Sequence, residues 1–161
     1  VPLVFDRVSS SEIVSQVAAR LEPRLKERGI ALKVAPDLPT IQADRERMSQ
    51  VFENLIVNAI KFTGHVKHPQ IQVGYEEEKN SHLFYVRDNG IGIDRANQEK
   101  IFEMFLRLCE IDDEEGTGIG LPIVENTVKN HGGKVWVESE KGKGATFYFT
   151  LPKSPKRLTT V

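Results

Sequence analysis

One apolar stripe constrains this chain more than any other feature. Met48, Val51, Phe52, Leu55, Ile56, Ala59 and Ile60 recur at i, i+3, i+4, i+7 and i+8, the spacing of a helix with one buried face. Asp44 suits its N-cap and Gly64 its stop. A helix this apolar along one side needs a second layer to cover it.

The rest of the chain supplies that layer. Ser9, Ser10 and Ser11 offer N-caps to a helix carrying Ile13, Val17, Leu21 and Leu25, which runs to about Arg28, is distorted at Pro23 and stops at Gly29. Strand patterns follow at 30–35, 71–77, 83–88, 134–140 and 145–151. The last two form a hairpin around Gly142 and Gly144. A short helix is expected around Gln98–Phe105 and a longer one over Leu121–Asn130, ended by Gly132 and Gly133. Strands and helices mix without βαβ alternation. The expected fold is an α/β two-layer sandwich, with a mixed, mainly antiparallel sheet of about five strands covered on one face by three helices. Residues 1–8 read as a linker or edge strand, 9–152 as one domain, and 153–161 as a disordered basic tail.

Bulk properties exclude more than they assign. A net charge of -1 gives no argument for nucleic acid or an anionic membrane. Cys109 is the single cysteine, so an intramolecular disulfide is impossible and a reducing, cytoplasmic setting fits. No apolar run approaches the roughly 20 residues of a membrane span. The chain starts at Val1 without Met, as an excised piece of a longer protein would, and that parent could be anchored in a membrane.

Three motifs carry chemistry. On the central helix, Asn54 and Asn58 are four residues apart, and Lys61 lies three further on. They share a stripe on the flank of the apolar face. An amide oxygen is a hard ligand suited to Mg²⁺ and an ammonium neutralises phosphate, although a solvated helix face carries the same residue types. Next, Asp88-Asn89-Gly90-Ile91-Gly92-Ile93 follows an apolar strand. Asp88 can accept from an exocyclic amine, and the glycines let a flat ring approach; a plain Asn-Gly turn is the ordinary alternative. Third, Gly116-Thr117-Gly118-Ile119-Gly120-Leu121 opens a helix, with Pro122 in its first turn. Free backbone N–H groups at a helix start suit phosphate. The loop is neither a Walker loop nor a dinucleotide fingerprint, and alone it is unspecific.

Taken in order, these motifs resemble the histidine-kinase branch of the Bergerat-type ATPases, a superfamily that also holds DNA gyrase B, the heat-shock-90 chaperones and the mismatch-repair ATPases. Glu53–Thr63 resembles the family's N box, Asp88–Ile93 its G1 box, Ile101–Phe105 its F box and Gly116–Leu121 its G2 box. His131-Gly132-Gly133 and Gly142–Phe147 match downstream signatures. The resemblance spans about Val8 to Pro152.

It implies ATP and Mg²⁺ as cofactors and transfer of the γ-phosphate to a histidine. Asn58 would hold Mg²⁺, with Asn54 and Lys61 completing the catalytic set. Asp88 would bind the adenine amine and Gly92 would line the ring, flanked by Gly90 and Ile93. Gly118, Gly120 and Leu121 would offer backbone N–H groups to the phosphates, Gly116, Thr117 and Ile119 belong to the same ATP-binding set, and Thr146 would sit near adenine. Residues between Phe105 and Gly116 would form a mobile, acidic ATP lid, with Arg107 as a phosphate contact. Phe102 joins the ATP-binding set, although Phe102 and Phe105 at i, i+3 also suit packing of the short helix. Trp136, Tyr148 and Phe149 read as sheet packing.

ATPase relatives place a Glu where this chain has Asn54, which cannot act as a base for water. Glu53 is turned about 140° from Asn58, so slow hydrolysis is expected. His65, His68, His82 and His131 lack the His-Glu pair of an acceptor helix; His131 ends a helix, where a cation is favoured. The acceptor is expected on a dimerisation helix domain before Val1. The resemblance further implies a response-regulator receiver domain as partner, no nucleic acid, a monomeric fragment and a homodimeric parent. The alternatives are an ATPase or anti-sigma-type serine kinase of the same superfamily, and a nucleotide-binding module without transfer.

Overall fold

The computed structural model describes residues 2–63, 66–98 and 120–155, except for the Asn97 side chain. In chain order these form β1 (Asp6–Ser9), α1 (Ser10–Glu27), β2 (Ala31–Val34), β3 (Thr40–Ala43), α2 (Arg45–Thr63), β4 (Gln70–Glu77), β5 (Ser81–Asp88), α3 (Arg95–Gln98), α4 (Gly120–Asn130), β6 (Val135–Glu140) and β7 (Gly144–Pro152). β2, β4, β5, β7 and β6 make a five-stranded sheet in that spatial order. Only β2 and β4 run parallel. This is the mixed sheet, backed by α1, α2 and α4, that the sequence predicts.

Strand period explains which face the helices cover. The aligned rows Val73–Val86–Phe147–Val137 and Tyr75–Phe84–Phe149–Val135 point one way. Phe52 of α2 packs edge-on against Phe84 and Phe149, with ring centroids at 5.5 and 5.3 Å. Met48, Phe52, Leu55, Ile56 and Ile60 are fully buried beneath the sheet. The opposite face carries the polar row Gln72–Arg87–Thr146–Glu138 and the aromatic row Tyr85–Tyr148–Trp136. There Trp136 stacks on Tyr148 at 5.3 Å while staying part-exposed.

The helix ends follow capping chemistry. Ser9 Oγ accepts the Glu12 N–H at 3.2 Å, and Asp44 Oδ1 accepts the Arg47 N–H at 3.2 Å. Three elements depart from expectation. Residues 40–43 are a strand, β3, and pair antiparallel with β1 in a separate ribbon (Val8 opposite Ile41). Only Ile41 and Ala43 face inward there, a pattern too short to read from sequence. The short helix begins at Arg95 rather than Gln98, and its expected continuation to Phe105 lies outside the described residues, as do Gly64, His65, Cys109 and the end of the tail beyond residue 155. Lys153, counted with the tail, is tied down: its N–H reaches the Asn80 carbonyl at 3.0 Å and its ammonium pairs with Glu77 at 3.0 Å.

Candidate functional site

Asn54, Asn58 and Phe62 stand at i, i+4 and i+8, one stripe along α2. Both glycine-rich segments converge on it. At one end Gly120, which opens α4, lies where a Cβ would sit 3.6 Å from the Asn54 amide carbon. At the other end the Ile91 N–H bonds to the Phe62 carbonyl at 3.1 Å. Gly90 is pressed so close that a Cβ would stand 2.0 Å from that carbonyl oxygen, so only glycine fits. Lys61 lies in the same last turn, half-buried.

The stripe is more buried than a solvated flank. Asn58 is 3% exposed, because α4 packs over this side of α2 with Leu121 and Val124 in the core. Yet Asn54 Nδ2 and both amide atoms of Asn58 have no hydrogen-bond partner among the described residues. Leaving a buried polar atom unpaired costs roughly 1–3 kcal/mol, and such atoms call for an explanation.

Asp88 ends β5 and is 3% exposed. Its Oδ1 accepts N–H bonds from Gly90 at 2.9 Å and from Ala145 at 3.3 Å. Its Oδ2 is buried with no partner. Burial pushes its pKa from 3.8 to about 6, against the opposing pull of the two backbone donors. A carboxylate fixed through one oxygen and open at the other is a ready acceptor for a ligand N–H. Beyond it, Gly92 takes φ 75° with a Cβ position 2.2 Å from the Glu140 carbonyl oxygen, the second place where a side chain is excluded. Gly142 donates to the Ile91 carbonyl at 2.7 Å, and buried Ile93 donates its N–H to Ser139 Oγ at 2.8 Å.

Several expectations need correction or separation. Thr146 does not share the face of Asp88. The residue opposite Asp88 on β7 is Ala145; Thr146 is opposite Arg87, whose Nε it meets at 3.2 Å on the helix-free face. Strand alternation sends its side chain away from the site, toward a shallow groove that Gln72, Arg87 and Glu138 also line. His131 is not a solvated cation. It is buried, its Nδ1 bonds to the Thr127 carbonyl at 2.8 Å, and its Nε2 accepts the Asp44 N–H at 3.1 Å. That pattern requires a neutral ring, and burial correspondingly holds its pKa below 6.5. Glu53 is engaged elsewhere: its carboxylate takes the Arg20 guanidinium of α1 at 3.0 Å. Phe102, Arg107, Gly116, Thr117, Gly118 and Ile119 lie outside the described residues. Sequence reasoning missed Ala145, Ser139 and Gln98. For Ala145 a signal existed, since period two counted back from buried Phe147 puts residue 145 inward.

Sheet, helix layer and a cluster of open polar atoms between α2 and the Asp88 loop together define a nucleotide-binding catalytic domain. Comparison with known proteins agrees. Residues 43–155 match the family of histidine kinase-, DNA gyrase B-, and HSP90-like ATPases. The methanogenesis regulatory histidine kinase FilI of Methanothrix harundinacea is 41% identical over 144 residues, covering 89% of this chain and 16% of FilI. The solved catalytic domain of histidine kinase ThkA, nucleotide-free, superposes with a TM-score of 0.80 at 29% identity, covering 96% of this chain and 99% of that one. Full-length ShkA in complex with AMPPNP gives 0.81 at 32% identity, with 96% and 32% covered. ThkA in complex with response regulator protein TrrA gives 0.75 at 28% identity, with 95% and 43% covered. The chain therefore belongs to this ATPase family, as a catalytic domain of the sensor histidine kinase type. It spans 16% of the length of FilI, a small part of such a kinase. No helix among the described residues is long and apolar enough to cross a membrane.

Proposed function

We propose that this domain binds ATP with Mg²⁺ and donates the γ-phosphate to a histidine on a separate dimerisation helix domain, for relay to a response regulator. The observation that carries the reading is the set of orphaned atoms: Asn54 Nδ2, Asn58 Nδ2 and Oδ1, and Asp88 Oδ2 are buried without partners among the described residues, and all flank the seam where Gly90 and Gly120 meet α2.

Each would act by its chemistry. Asp88 Oδ2 accepts from the adenine amine, which a guanine carbonyl at the same place would repel. Gly90 and Gly92 keep side chains off the ring face, with Ile93 packed behind them. Asn58 Oδ1 is a neutral hard oxygen fit for Mg²⁺, and no cluster of three or more His, Cys, Asp or Glu among the described residues offers a competing metal site. The metal, when bound, neutralises phosphate charge. Asn54, beside Gly120, supports that side, Lys61 would supply positive charge for phosphate, and the start of α4 at Gly120 and Leu121 presents the helix N-terminus. Phe102, Arg107 and residues Gly116–Ile119 would complete the phosphate end.

Transfer rather than hydrolysis follows from what is missing at the metal side. Asn54 cannot take a proton from water, and Glu53 is held by Arg20 on the far side of α2. ThkA solved with TrrA supports a response regulator as the downstream partner. The reading is tested by supplying an acceptor helix domain in trans with labelled ATP. Phosphate appearing on the acceptor histidine supports it; steady multiple-turnover release of phosphate to water, with no labelled acceptor, contradicts it.

A further inference from the structure

Outside the residues that would touch nucleotide, Ser139 of β6 and Gln98 of α3 converge on the Asp88–Ile93 loop at the β6–β7 hairpin. Ser139 Oγ does two jobs at once. It accepts the Ile93 N–H at 2.8 Å and donates to the Gly144 carbonyl at 2.7 Å. Gln98 uses both hydrogens of its amide: Nε2 donates to the Ile93 carbonyl at 2.9 Å and to the Ser139 carbonyl at 2.7 Å. Ile93 is thus gripped at both its N–H and its C=O. Ser139 also stands opposite Ala145 in the strand register, and Ala145 is one of the two backbone donors that fix Asp88 Oδ1. Both ends of the loop, Asp88 and Ile93, are therefore held against the β6–β7 hairpin.

We infer that Ser139 and Gln98 are positioning residues for adenine recognition: they clamp Ile93 to the hairpin and so set where Asp88 and the glycine wall stand relative to the base. The inference rests on the nucleotide-site reading above and deepens it. The bonds of the clamp end on Ile93, Ser139 and Gly144, beside the Asp88 loop, so its influence falls on the adenine end rather than the phosphate end. Ser139→Ala removes two bonds at once, the one from Ile93 N–H and the one to Gly144 C=O.

The test is a calorimetric titration of the folded chain with a non-hydrolysable ATP analogue plus Mg²⁺, and separately with adenosine, using wild type, Ser139→Ala, Ser139→Thr and Gln98→Glu. Gln98→Glu keeps the shape but turns a double donor into an acceptor facing two carbonyls. Ser139→Ala and Gln98→Glu are expected to weaken both ligands by the same factor, roughly three- to tenfold, while Ser139→Thr, which keeps the hydroxyl, restores binding. A merely structural role predicts otherwise: losses that track the fall in Tm, with Thr no better than Ala. That result overturns the inference, as does wild-type affinity in Ser139→Ala, or a loss confined to the triphosphate. Wild-type protein that takes up neither ligand overturns the nucleotide-site reading itself, and the inference with it.

Discussion

Asp88 carries a pH signature. Its pKa of about 6 in the folded protein, against an ordinary 3.8, comes mainly from burial. Only the ionised form leaves Oδ2 free to accept a ligand amine, so affinity for an ATP analogue is expected to weaken as the pH falls through about 6 and to be flat above it. Asp88→Asn, which cannot titrate, should bind weakly at every pH. Without ligand the sign is reversed for stability. The unfolded carboxyl ionises near 3.8 and the folded one only near 6, so the folded state loses up to roughly 3 kcal/mol as the pH rises across that interval. His131 acts in the other direction: its neutral ring is needed in the fold and its pKa is held down, so its contribution is lost as the pH drops below 6.5. Melting curves across pH for Asp88→Asn and His131→Gln should separate the two slopes, the first variant removing the loss toward higher pH and the second the loss toward acid. On the metal side, Asn54→Glu is expected to speed ATP hydrolysis, since a carboxylate would then stand where water can be activated; unchanged hydrolysis in a phosphate-release assay would contradict that.

α2 is the element on which both layers and the site depend. Phe52 packs edge-on against both Phe84 and Phe149, and Phe52→Ala is expected to cost roughly 3–5 kcal/mol in denaturant unfolding. Gly90→Ala strikes the same helix from outside, since its Cβ would collide with the Phe62 carbonyl oxygen. Nucleotide binding should be lost there with most of the core intact, so a loss in calorimetry larger than the loss in Tm is the expected pattern. The sequence exposed α2 because its period is long and unbroken. Asn54, Asn58 and Asp88 were visible as residues of the right chemistry at the right spacing, but their burial was not: it depends on α4 closing over the flank of α2, a contact between segments more than 60 positions apart in the chain. Short elements were illegible for the same reason. β3 owes its existence to pairing with β1, and the side to which Thr146 points is decided by strand register rather than by the motif containing it. The Ser139–Gln98 clamp lies in hydrogen bonds across 41 and 46 positions, which no local pattern announces.

At the scale of the whole molecule, the described residues form one layer pair with a seam between α2 and the Asp88 loop, and two of their histidines are engaged in the fold. His131 is buried and doubly bonded, and His82 shares its Nδ1 with the Tyr75 hydroxyl at 3.0 Å. The isolated domain is expected to label no histidine of its own when mixed with ATP and, as the family resemblance implies, to sediment as a monomer. The central claim is that Asn58 and Asp88 are left open for Mg²⁺-ATP. It is tested most directly by calorimetric titration of wild type, Asp88→Ala and Asn58→Ala with a non-hydrolysable ATP analogue, with and without Mg²⁺. Binding by wild type, near-complete loss in Asp88→Ala, and loss of the magnesium-dependent part in Asn58→Ala are the predicted results. Equal uptake by all three proteins, or no uptake by wild type, would contradict the account.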